Sequence, residues 1–259
     1  MRISVSPFPL VLFIMNKMNV SDLPKRVDLN GKFTVILVRP ENPENIGLVA
    51  RNMKNTGFEE LRLVHVPSFD QKSRITAVHA LDILDRAHFY PDTVEATQDL
   101  DLVFAATSKK RKNFPAFSLK DAVKEMFRFP RSTKIGLLFG NERTGLTSRE
   151  LHHSNFRFMI PQAVRQPSYN LASAVLLTLF NIYAYDDRRE DEIIREKPLS
   201  RKKQEECICL ILDKLEKRRF IHEANKRHMT EMIYDLFGRF ALTSKDRKLL
   251  LALFSKSVK

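Results

Sequence analysis

Three short stretches of this chain combine residues capable of chemistry with spacings that keep them together. The first runs Arg39-Pro40-Glu41-Asn42-Pro43-Glu44-Asn45-Ile46-Gly47-Leu48-Val49-Ala50-Arg51-Asn52. The second is Gly140-Asn141-Glu142-Arg143-Thr144-Gly145-Leu146, and the third is Ser168-Tyr169-Asn170-Leu171 entering an apolar run. Arg51 would sit two turns into a helix, on the side of Ile46. A guanidinium stays protonated, with a pKa above about 12, so it can fix a phosphate or stabilise a developing alkoxide but is a poor base. Gly140 and Gly145 let a backbone turn sharply and approach a ligand. Lys109-Lys110-Arg111-Lys112, followed by Asn113 and Phe114, could form a phosphate track with a stacking ring. Read alone, Arg51 is a surface arginine, Asn45 a helix N-cap, Glu142 a solvated loop carboxylate and the basic run a solvated loop.

The elements that must hold these residues alternate between short apolar runs and amphipathic segments. Strands are expected at Phe33–Val38, Leu61–Val66, Leu102–Ala106, Lys134–Phe139 and Arg157–Ile160. Helices are expected at Ile46–Thr56, closed by Gly57, and at Arg74–Ala87. Ser118 with Asp121, and Thr147 with Glu150, read as capping boxes. His152-His153 reads as a helix end rather than a ligand pair. Such alternation implies an α/β fold with a mostly parallel sheet.

Asp186 to Lys203 is densely charged and reads as a solvated linker or exposed helix end. Beyond it the pattern is only helical. Ile208, Ile211, Leu212 and Leu215 share one face; Met229, Met232, Ile233, Leu236, Phe237 and Phe240 share another; Thr243 opens a last helix ending near Phe254. The expected division is a leader over 1–30, an α/β domain over 31–186 and a helical region over 187–259. Pro7 to Met15 is apolar but too short for a bilayer, which takes about 20 residues. It reads as a leader or a mis-assigned start, with Met15 and Met18 just downstream.

The bulk composition agrees with a folded protein: 259 residues, 43% hydrophobic and 29% charged. A net charge of +13 favours polyanions, nucleic acid first. Cys207 and Cys209 lack metal-ligand spacing and read as free thiols of a reducing cytoplasm.

Taken together and in order, the three stretches resemble the signature motifs of the SpoU/TrmH family of SPOUT-class RNA 2′-O-ribose methyltransferases, with the TrmJ-type tRNA branch nearest. The resemblance covers roughly residues 33–185, and Phe237 to Thr243 with the helix after them resemble that branch's C-terminal region. It implies a trefoil-knotted parallel sheet flanked by helices, plus a small all-helical C-terminal appendix. It implies S-adenosyl-L-methionine as cofactor and no metal. Arg51, Asn45, Glu142, Ser168 and Asn170 would form the catalytic set, with Glu142 close to Arg51. Thr107, Ser108, Lys109, Gly140, Ile160, Pro167, Ser168 and Tyr169 would line the cofactor. Tyr169 departs from the family's usual leucine. The implied substrate is the ribose of a cytidine or uridine at the start of the tRNA anticodon loop. A homodimer is implied, with Leu171–Tyr185 supplying part of the contact and the tail adding dimer or tRNA surface. Ribosomal RNA as substrate, an inactive RNA binder and a membrane-associated protein using the N-terminal run are the alternatives.

Overall fold

The computed structural model describes residues 29, 31–66, 68–108, 116–163, 168–185, 195–238 and 240–255. The expected leader and the basic run at 109–112, with Asn113 and Phe114, therefore lie outside the described residues, apart from Leu29.

The strands are β1 (Phe33–Val38), β2 (Glu60–Val64), β3 (His88–Tyr90), β4 (Leu102–Ala106), β5 (Phe117–Ser118), β6 (Ile135–Phe139) and β7 (Phe156–Met159). They form one sheet in the order β3-β2-β1-β6-β4-β7-β5, with every pairing parallel. β1, β4 and β6 are near-continuous apolar runs because both faces of a parallel sheet are covered. The two-residue side-chain period sorts them. Val35 and Leu37 face one core with Phe104, Leu137 and Phe139. Ile36 and Val38 face the other with Val103, Ala105 and Leu138.

On the first face lie α1 (Pro43–Thr56), α4 (Leu119–Phe127) and α6 (Leu171–Tyr183). They contribute Val49 and Met53, Ala122 and Met126, and Val175 and Leu179 to that core. Gly57 closes α1 in the left-handed conformation, φ 80°, as its position suggested. α2 (Gln71–Ala77) crosses α1 at Gly47, where a Cβ would meet Ser73 O at 2.2 Å.

Several expectations are corrected. The helix read at Arg74–Ala87 is α2, a 3₁₀ turn at Val78–Ala80 and α3 (Leu81–Asp85), broken where Val78 takes φ 52°. Buried Ala77, Ala80, Ile83 and Leu84 keep helical spacing through the break, so periodicity hid it. β3 and β5, three and two residues long, give too little pattern to read. α5 (Ser148–His152) opens with a full capping box at Thr147 and Glu150. Ser118 caps α4, but Asp121 returns its bond to the Ser118 hydroxyl at 2.6 Å instead of the backbone, its side chain being one methylene shorter than that of glutamate. His153 follows α5 as its C-cap, the expected helix end.

α7 (Arg201–Lys217), α8 (Lys226–Gly238) and α9 (Ser244–Ser255) share a small core of Cys207, Ile208, Ile211 and Phe237. The charged stretch read as solvated is instead partly buried where it is described. Leu199 and Arg201 are 7% and 6% exposed, because Arg201 N donates to Leu100 O and Leu199 N to Leu242 O. Of the single apolar face read on α8 and its exit, Ile233 and Phe237 pack inward, while Met232, Leu236 and Phe240 stand about half exposed. The helical region docks beneath the amino-terminal ends of β4 and β7. There Asn155 Oδ1 accepts Val103 N, and Asn155 Nδ2 donates to Gln204 Oε1, Gly238 O and Phe240 O. Gln204 Nε2 in turn donates to Asp101 O and Leu199 O. Among the described residues no helix is long and apolar enough to cross a membrane.

Candidate active site

At the other end of the sheet the carboxyl ends of β1, β4, β6 and β7 converge, the usual place for a ligand in a parallel sheet. β1 leads through Pro40 and Glu41 to Asn42, which caps α1: its side chain accepts Glu44 N at 3.0 Å, and Pro43 occupies the first helical turn. The N-cap is thus Asn42, not Asn45. Asn45 lies one turn in, 3% exposed, and uses both ends of its amide. Its Nδ2 donates to Glu142 Oε1 at 2.7 Å, and its Oδ1 accepts Asn170 Nδ2 at 2.9 Å.

Glu142 also accepts the backbone N–H groups of Glu41 at 2.8 Å and Asn42 at 3.3 Å, so it is no free loop carboxylate. A negative group fits the amino end of α1, where backbone donors are unsatisfied. Asn170 caps α6, its Oδ1 accepting Ala172 N and Ser173 N. One hydrogen-bonded line, Glu142–Asn45–Asn170, therefore joins all three sequence stretches. Asn52 Nδ2 adds a second tie to α6 through Ala172 O at 3.0 Å, a contact that no sequence signal marked.

Arg51 stands apart from this line. It lies five residues beyond Ile46, about 140° round the helix. Ile46 is buried in the core while Arg51 is exposed, which corrects the expected shared face. Among the described residues its guanidinium makes no hydrogen bond or ion pair, leaving its donors available; Glu142 bonds to the first turn of α1 instead.

A cavity of about 220 Å³ opens beside the line. Thr107 and Ser108 after β4, Gly140 to Leu146 after β6, Ile160 and Gln162 after β7, and Ser168, Tyr169, Leu171 and Ala174 before and within α6 form its wall. Of the residues assigned to the cofactor from the sequence, Thr107, Ser108, Gly140, Ile160, Ser168 and Tyr169 meet there; Lys109 and Pro167 lie outside the described residues. Gln162, Leu171 and Ala174 were not foreseen. At Gly140 a Cβ would lie 2.5 Å from both Gly145 C and Leu146 N, so only glycine lets these backbones cross. The Tyr169 hydroxyl donates to Pro161 O at 3.1 Å, tying the two ends of the β7–α6 connection.

The wall mixes Phe139, Leu146, Ile160 and Leu171 with backbone amides, hydroxyls and one carboxylate. Such a surface fits a flat apolar ring bearing polar edges and a charged arm, which is the make-up of S-adenosyl-L-methionine. Among the described residues no group of three or more His, Cys, Asp or Glu side chains could hold a metal ion.

The model of the SpoU rRNA Methylase family matches residues 32–180. The chain belongs to that family. It is 32% identical over 230 residues to the tRNA (cytidine-2′-O-)-methyltransferase TrmJ of Methanocaldococcus jannaschii, spanning 85% of this chain and 97% of that protein. It is 28% identical to the tRNA (cytidine/uridine/adenosine-2′-O-)-methyltransferase TrmJ of Pseudomonas aeruginosa, over 88% and 94% of the two chains. The crystal structure of TrmJ from Z. mobilis ZM4 superposes with a TM-score of 0.74 at 26% identity, covering 86% of this chain and 97% of that one. The SpoU match thus takes in all seven strands and most of α6, and the TrmJ likenesses reach well past it along the chain.

Proposed function

We propose that this SpoU-family protein transfers a methyl group from S-adenosyl-L-methionine to a ribose 2′-hydroxyl of tRNA. The observation that carries the reading is the Glu142–Asn45–Asn170 line, which locks the three family motifs around one cavity at the carboxyl edge of the sheet. Likeness to TrmJ proteins over nearly their whole length supports tRNA as the substrate; the first nucleotide of the anticodon loop is the position that the motif resemblance implies. The net charge of +13 suits a polyanion.

When bound, S-adenosyl-L-methionine supplies an activated methyl group on sulfur. The chain's residues supply placement. Gly140, Thr107 and Ile160 offer the wall against which the cofactor lies. Glu142, Asn45 and Asn170 hold the second and third motifs in register, since an in-line transfer depends on alignment. Arg51, with its donors available, fixes an RNA phosphate and steadies the charge that grows on the ribose oxygen as its proton leaves. Ser168, which lines the cavity, contacts the substrate in this reading.

The same reading takes residues 31–186 as the catalytic domain and 187–259 as a helical region, in a cytoplasmic homodimer that needs no metal. Exposed Leu176 and Phe180 on α6 support a subunit contact there.

The test is methyl transfer from labelled S-adenosyl-L-methionine to unmodified total tRNA, with mapping of the modified nucleoside. Arg51→Ala is expected to lower the rate about a hundredfold or more, the scale of losing one charge-stabilising donor. Transfer to ribosomal RNA alone would replace the substrate. No transfer to either RNA, with no binding of S-adenosylhomocysteine, would sink the reading.

A further inference from the structure

β1 ends at Val38, but its ladder continues for one residue, with Arg39 N donating to Val64 O at 2.9 Å. Arg39 then turns at φ 49°, a left-handed conformation uncommon for a residue with a side chain. The turn lets Arg39 engage the loop after β6 from both main chain and side chain. Its carbonyl accepts Asn141 Nδ2 at 2.9 Å. Its guanidinium forks onto the Glu150 carboxylate, Nη1 to Oε1 and Nη2 to Oε2, the latter at 3.0 Å. Nη2 also reaches Gly145 O at 3.4 Å.

These partners define the loop. Asn141 Oδ1 gathers Arg143 N, Thr144 N and the Thr144 hydroxyl within 3.1 Å. Gly145 N closes the turn on Asn141 O at 2.8 Å. Glu150 is largely buried and also accepts Thr147 N at 2.7 Å, so the residue that receives the fork is itself fixed in the capping box of α5. Burial pushes the Glu150 carboxyl up, but Arg39 and the Thr147 amide outweigh it and hold it below the usual range. Every residue from Gly140 to Leu146 lines the cavity. β1 and α5, by contrast, are independently seated by Val38 and Leu151 in the core.

We propose that Arg39 is a positioning residue for the cofactor cavity: its fork on Glu150 and its contacts with Gly145 and Asn141 hold the 140–146 loop in the shape that receives S-adenosyl-L-methionine. The proposal rests on the cavity being the cofactor site. Arg39 does not line the cavity and acts only through the loop. Loss of the side chain removes the Glu150 fork and the Gly145 contact, keeps the main-chain bond to Asn141, and so loosens the loop while the sheet stays in place.

The test is calorimetric titration of S-adenosylhomocysteine into the wild type, Arg39→Lys, Arg39→Ala and Glu150→Gln, alongside steady-state methylation and thermal unfolding. Lysine keeps the charge but cannot span both carboxylate oxygens. S-adenosylhomocysteine affinity is expected to fall about tenfold in Arg39→Ala and about threefold in Arg39→Lys, the scale of a charge-assisted bidentate pair. The KM for S-adenosyl-L-methionine should rise in step, while kcat at saturating cofactor and tRNA affinity stay within about twofold of wild type. Unchanged cofactor affinity in a folded Arg39→Ala protein overturns the proposal. So does a parallel loss of cofactor affinity, kcat and tRNA affinity, which marks a purely structural pair. Should Arg39→Ala fail to fold, the near-isosteric Glu150→Gln decides by the same criteria. Should the wild type bind no S-adenosylhomocysteine, the function reading fails on its own. Hydrogen exchange over 140–146 in Arg39→Lys then decides the positioning role: faster exchange confined to the loop supports it, and unchanged exchange overturns it.

Discussion

Two polar networks sit at opposite ends of the same sheet, and they are built to different ends. At the amino-terminal end, Asn155, Gln204 and Arg201 are 5%, 1% and 6% exposed, and the bonds of the two amides run to backbone, to each other and to the Arg201 guanidinium. At the carboxyl end, Glu142, Asn170, Ser168 and Tyr169 remain partly or fully exposed and border open space. A buried amide must find every partner inside the protein, because an unmet bond there costs more than a made bond gains. An exposed one can keep capacity for a ligand. The sealed network joins the helical region to the sheet, and the open one joins three loops around a cavity.

The largest expected effect lies in the sealed network. Asn155→Leu strands Val103 N and the Gly238 and Phe240 carbonyls at once, and should destabilise the fold by about 4 kcal/mol in chemical denaturation. A loss under about 1 kcal/mol would mean that the two networks are energetically alike. Next comes the open network. Gly140→Ala forces a Cβ into the Gly145–Leu146 backbone and should weaken S-adenosylhomocysteine binding about a hundredfold, close to 2.7 kcal/mol. Retained affinity would show that the backbone crossing is dispensable.

The smallest effect is one of pH. His153, beside the sealed network, has its imidazole pushed down to about 4 by burial and by neighbouring Arg201 and Arg149. Unfolded histidine titrates near 6.5, so the stability held by the neutral ring is full above that value and is lost as pH falls from about 6.5 towards 4. The loss should reach about 2 kcal/mol, discounting for partial exposure. His153→Phe, which keeps a ring against Tyr234, should flatten the profile over that window. An unchanged slope would place the acid sensitivity elsewhere.

How far the sequence reached follows the same division. β1 and β4 were legible to the residue because buried parallel strands are uninterrupted apolar runs. The open network was legible too, since its members lie in three short motifs. Asn45 reads as a cap because two asparagines three residues apart compete for that role, and the proline at 43, in the first helical turn, decides for Asn42. Arg39 and Asn52 carried no local signal: their partners lie about a hundred residues away along the chain. Asn155 and Gln204 were invisible for the same reason. A buried polar pair leaves no periodicity, and the stretch before α7 reads as solvated because its partners, Leu100 and Leu242, are distant in sequence. Val78 escaped because the apolar spacing ran straight through its kink.

The strand order carries one more consequence, for how the chain assembles. β6 lies between β1 and β4, yet it is made after both. Until residues 135–139 emerge from a ribosome, β1 and β4 each present a bare inner edge of near-continuous apolar strand. About 100 residues separate β1 from β6, so at roughly 5–20 residues per second the wait lasts about 5–20 s. The strand that carries the 140–146 loop is thus the one that joins β1 to β4, and β7, made later, completes the sheet. A growing chain covers these two inner edges when β6 inserts, before the segments after β7 and at the start of α6 add the rest of the cavity wall.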